Sequence, residues 1–116
     1  MLNKKELIKE YKNQKHPVGL FAVRNIPENK MFIGISMNLP AKIRGVTFEL
    51  ELGSHAYHNL AGDYKRLGKD KFEVFILDEI QLKDETEGEL KKELEALEQM
   101  WIEKLKNEGT TFYNKK

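Results

Sequence analysis

The stretch VGLFAVRNIPENKMFIGIS, Val18 to Ser36, decides the fold. It holds two short apolar runs separated by NIPEN, whose Asn and Pro residues favour a turn. Residues 18–24 and 31–35 therefore read as the two strands of a hairpin. Each run sets a glycine near an aromatic residue: Gly19-Leu20-Phe21 in the first strand and Phe32-Ile33-Gly34 in the second. A plain hairpin has no need of that pairing, so either these are ordinary strand ends or they are what remains of a site.

Upstream of the hairpin, Asn3 and Glu6 have the spacing of a capping box, and Leu7, Ile8 and Tyr11 form a narrow apolar stripe. A short helix is expected over 4–13, ended by Pro17. Downstream, Asn38 can cap a helix that carries Pro40 in its first turn. VTFELEL then fits either period: Val46, Phe48, Leu50 and Leu52 alternate as in a strand, whereas Ile43, Val46, Thr47 and Leu50 recur as in a helix. Ser54 reads as the N-cap of a helix over 55–67, with Tyr57, Leu60, Ala61, Tyr64 and Leu67 on its apolar stripe and Gly68 at its stop. Both tyrosines are read there as core sooner than catalytic. KFEVFILDEI is apolar on both faces and reads as an interior strand. A long helix follows over 86–107, with Leu90, Leu94, Leu97, Trp101 and Leu105 on one stripe and an acidic, solvated face around 84–98.

On that last helix Glu98 is out of place. At about 100° per residue from Leu90, Trp101 falls near 20°, Leu105 near 60° and Ile102 near 120°, which puts Glu98 near 80°, inside the apolar arc. A carboxylate there is costly unless a cation or a metal compensates its desolvation. The alternative is a flank position whose side chain bends out to water.

Composition narrows the functions. With 116 residues the chain fits one domain, expected to span 1–116 with residues 1–17 as a helical extension and 18–114 as the core. Twenty basic against 19 acidic residues give a net charge of +1, so any nucleic-acid surface must be a local patch. The absence of cysteine excludes disulfides, thiol catalysis and Cys-ligated zinc. No run approaches the ~20 apolar residues of a membrane span, and the charged N-terminus does not resemble a signal peptide. The expectation is a soluble, unprocessed, cytoplasmic protein.

The order of hairpin, helix, helix, strand and long helix, with GLF at 19–21 and FIG at 32–34, resembles the GIY-YIG nuclease superfamily. Further landmarks agree: GIS with NL soon after, GSH at 53–55, Leu60, Tyr64 and Gly68, FEVFILDEI, LEQMWIEKL and a terminal FYN. The resemblance covers roughly residues 18–114. It implies an α/β (α+β) fold, a small three-stranded, mostly antiparallel sheet flanked by helices, and metal-dependent hydrolysis of DNA with one Mg²⁺ or Mn²⁺ ion. It also implies roles: two tyrosines that deprotonate and arrange the attacking water, an arginine on the following helix that steadies the phosphate, and a glutamate on the long helix that holds the metal. Those positions carry Phe21, Phe32, Lys42 and Glu98 here. Asn114 stands where family members often have an asparagine, and His55 where some have a histidine.

The departures bear on chemistry. A phenyl ring can neither accept a proton nor hold a water. Lys42 keeps the arginine's charge but not its forked donor geometry, and Arg44 is two residues away. His55 can be a surface residue, an anion contact or a stand-in base. Three readings follow: a weakened metal-dependent DNA endonuclease with Glu98 on the metal and Lys42, Arg44 and Asn114 toward nucleic acid; a binding module that has kept the groove but not the chemistry; and an interaction protein that docks a protein partner on the acidic face of the last helix.

Overall fold

The hairpin forms as the sequence dictates. In the computed structural model, which describes residues 17–55, 57–82 and 86–113, β1 (Val18–Asn25) pairs antiparallel with β2 (Lys30–Ser36), with Phe21 opposite Gly34 and Val23 opposite Phe32. The expected helix over 4–13 and the position of Asn114 lie outside the described residues. β3 (Phe72–Ile80) joins β1 antiparallel on its other side, with a register shift at Leu20/Phe21.

Among the described residues the sheet has four strands in the order β3-β1-β2-β4, one more than expected. The addition, β4 (Thr111–Phe112), runs parallel to β2 and is only two residues long, too short to display a period. The interior reading of β3 also needs correction, since among the described residues β3 is a sheet edge and β1 and β2 are the inner strands. Its two apolar faces arise because layers cover both sides: Phe72 and Val74 pack with one core cluster, Phe75 and Leu77 with the other.

The ambiguous 46–52 segment is helical, in α1 (Leu39–Leu52). Asn38 caps it as expected, its side chain accepting from the Ala41 N–H, and Gly53 ends it in the left-handed region at φ 74°, which favours glycine. Burial decides the period: Leu39, Val46 and Leu50 point into the core, while Phe48 and Leu52 stay exposed. α2 spans His58–Leu67 and α3 spans Glu87–Asn107.

Alternation on β1 and β2 sorts the core into two layers. Phe21, Val23 and Phe32 face α1 and α2 through Leu39, Val46, Leu50 and Leu60. Leu20, Ala22, Met31 and Ile33 face α3 through Ile102, Leu97, Trp101 and Leu105. Trp101 Nε1 donates to Asp78 Oδ2 at 2.9 Å and ties α3 to the edge strand. Glu87, Glu89, Glu93 and Glu95 lie exposed, as the solvated-face reading requires.

Candidate functional site

The two glycines of the opening stretch have steric causes. A Cβ on Gly34 would lie 2.6 Å from two ring atoms of Phe21, and one on Gly19 would overlap the backbone carbonyl of Asp78 on β3. Glycine at 34 therefore makes room for an aromatic ring at 21. The Phe21 ring in turn packs against Phe32, with centroids 6.0 Å apart, and both rings are sealed, at 2% and 9% exposed. Their structural reading as core aromatics holds.

The loop between α1 and α2 closes over these rings. His55 stands edge-on to Phe32 at 5.4 Å between centroids, Tyr57 does the same at 4.7 Å, and the two lie 6.0 Å apart. Lys42, exposed on α1, holds its Nζ 5.9 Å from the Phe21 ring centroid, at the outer reach of a cation–π contact. Three polar side chains thus converge from α1 and one loop on the rings of β1 and β2.

His55 is 8% exposed, so it is not the surface residue that one reading allowed. Burial pushes its imidazole below the ordinary value; the Glu49 carboxylate pulls it up, the Lys42 cation pushes it down, and the balance is a lowered pKa. Its Nδ1 accepts from the Tyr57 backbone N–H at 3.1 Å, which assigns the proton of the neutral ring to Nε2. His55 therefore offers a donor to anything that approaches Nε2.

The helix expected to begin at 55 begins at 58, with Tyr57 in its N-cap position. The Ser54 hydroxyl bonds back to the Glu49 carbonyl at 3.5 Å instead of capping forward, and His55 turns into the aromatic cluster. Tyr57 consequently leaves the buried stripe and is 39% exposed, which corrects its reading as core. The same reading stands for Tyr64, which packs partly buried against the core. Sequence reasoning favoured a core role for Tyr57 over a catalytic one because it placed the helix start three residues early.

The remaining positions lie elsewhere. Arg44 is exposed and, two residues from Lys42, leaves α1 roughly 200° around the axis. Glu98 is half-buried on α3, the helix whose apolar residues pack with the Leu20, Ala22 and Ile33 layer. Among the described residues no three His, Asp or Glu side chains gather as a metal cage. A single carboxylate suits an ion such as Mg²⁺, which keeps several waters and takes further oxygens from a substrate phosphate. Two grooves lie off the rings: one of about 370 Å³ beside Ile35, Met37 and Lys91, and one of about 600 Å³ between the end of α1 and α2, beside His58, Tyr64 and Lys65.

A second polar cluster was also missed. Asn25, fully buried, donates to Tyr113 Oη and to Glu28 Oε1, each at 3.0 Å. Tyr113 donates to Asp63 Oδ2 at 2.7 Å, and Arg66 bridges Asp63 and Glu28. This network fastens the hairpin turn, α2 and the segment after β4 to one another.

The fold is similar to that of the GIY-YIG domain, a likeness that two solved structures carry. The catalytic domain of the homing endonuclease I-TevI superposes on the chain with a TM-score of 0.66 at 22% identity, covering 84% of this chain and 99% of that domain. A glutamate-to-alanine mutant of the same catalytic domain gives a TM-score of 0.63, also at 22% identity, over 82% of this chain and 90% of that one. No family model and no curated protein matches the sequence. No helix among the described residues is long and apolar enough to cross a membrane.

Proposed function

We propose that this chain is a cytoplasmic, divalent-metal-dependent nuclease of low activity that acts on DNA phosphodiester bonds. The observation that carries the reading is the convergence of Lys42, His55 and Tyr57 on the rings of Phe21 and Phe32, in the fold that the catalytic domain of a homing endonuclease also adopts. Lys42 and the Nε2–H of His55 supply a cation and a donor for the non-bridging oxygens of a phosphate. Asn114 and Arg44 are further nucleic-acid contacts on this reading. Glu98 would hold one Mg²⁺ or Mn²⁺, which when bound stabilises charge on the phosphate and its leaving oxygen. The rate is low because Phe21 and Phe32 carry no hydroxyl; loss of a general base costs typically ~100- to 10,000-fold.

The test is nicking of supercoiled plasmid with Mg²⁺ or Mn²⁺, comparing the wild type with Glu98→Ala purified in parallel. Nicking by the wild type alone is the expected result. Equal nicking by both, or by neither, removes the reading. A second reading, a DNA-binding module without chemistry, is favoured by the near-complete burial of both phenyl rings. Salt-sensitive DNA binding without cleavage would establish it.

A further inference from the structure

The nuclease reading leaves the attacking water without a proton acceptor, and the cluster contains few groups able to serve. Phe21 and Phe32 have no titratable atom, and Lys42 is a donor. His55 has its acceptor nitrogen engaged by the Tyr57 N–H and a proton on the other nitrogen. Tyr57 differs from all of these. It packs in a T-shaped contact with Phe32, the second motif ring, at 4.7 Å between centroids, while the residue is 39% exposed, so an approaching polymer can reach it. Its backbone N–H is fixed on His55, which holds the residue against the sealed rings.

We propose that Tyr57 supplies the catalytic hydroxyl that the two motif positions lack, acting as the general base toward water. This rests on the nuclease reading. The Tyr57 hydroxyl oxygen takes a proton from the attacking water as the water oxygen bonds to phosphorus, and the hydroxyl's own proton passes to solvent. The bond from phosphorus to the leaving sugar oxygen breaks, and that oxygen takes a proton from solvent. Electrons and protons balance without a further reactant. Glu49, exposed on α1 and close enough to act on His55, is the competing carboxylate.

The decisive experiment compares nicking rates of the wild type, Tyr57→Phe, Glu49→Gln and the double variant Tyr57→Phe/Phe32→Tyr, with DNA affinity measured for each. Tyr57→Phe keeps the ring that packs on Phe32, so affinity should stay within about twofold while the rate falls about 100-fold, at the lower end of general-base effects. Glu49→Gln should nick as the wild type does. Phe32→Tyr, which restores a hydroxyl on the ring that Tyr57 touches, should recover at least about tenfold of the lost rate. Undiminished nicking by Tyr57→Phe overturns the proposal while leaving the nuclease reading intact. Loss of affinity together with rate, without recovery in the double variant, assigns Tyr57 a structural role and overturns it too. A wild type that does not nick overturns both.

Discussion

Gly34 and Phe21 occupy one space between them, and that is why a glycine faces an aromatic ring across the hairpin. Adding a methyl group at 34 pushes on a ring that is itself locked against Phe32 and the α1 core. Overpacking of this kind costs typically about 1–3 kcal/mol. Gly34→Ala should therefore lower the urea midpoint with an unchanged denaturant slope, and Gly34→Ala combined with Phe21→Leu should lose less than the two single losses added together. At this scale much of the site was legible: GLF and FIG identify which rings pair, and the missing hydroxyls can be read directly. The exposure of Tyr57 was not legible, because it depends on where α2 begins, and Ser54 offered a good cap three residues too early.

At the scale of elements, the Asn25–Tyr113–Asp63–Arg66 network holds the hairpin turn to α2 and to the end of the chain's described part. Burial pushes the Asp63 carboxyl up, but hydrogen bonds from Arg66 and Tyr113 outweigh it and hold the group below its ordinary 3.8. With the folded value the lower one, the unfolded chain binds more protons in the window just under 3.8. The stabilisation from this group is complete above that value and is lost as pH falls through the folded one. Urea midpoints followed from neutral into acid pH should drop more steeply for the wild type than for Asp63→Asn; parallel curves would remove Asp63 from the acid response. The elements themselves were unevenly legible. Strong stripes such as Leu90–Leu94–Trp101 gave α3 to within a residue, whereas 46–52 satisfied both periods until the core chose Val46 and Leu50. β4 depends on a partner, β2, that sits about 80 residues earlier in the chain, and a two-residue strand leaves no pattern of its own.

For the whole molecule, a net charge of +1 means that no overall field draws DNA in, and affinity must come from a few local cations. Lys42 holds its cation toward the ring cluster, 5.9 Å from the Phe21 centroid, while Arg44 leaves the same helix on another side. Each phosphate neutralised releases condensed counterions, so the slope of log affinity against log salt on duplex DNA counts contacts at about 0.9 each. A chain this weakly charged should have a shallow slope of a few contacts, and Lys42→Ala should reduce it by about 0.9 and weaken binding to all sequences alike. Restoring the forked donor with Lys42→Arg should return the slope, since the charge is what the slope counts, and should tighten binding through a bidentate phosphate contact. If Arg44→Ala lowers the slope and Lys42→Ala does not, the DNA lies on the far side of α1, away from the phenyl rings, and the ring cluster is a core feature with no substrate to serve.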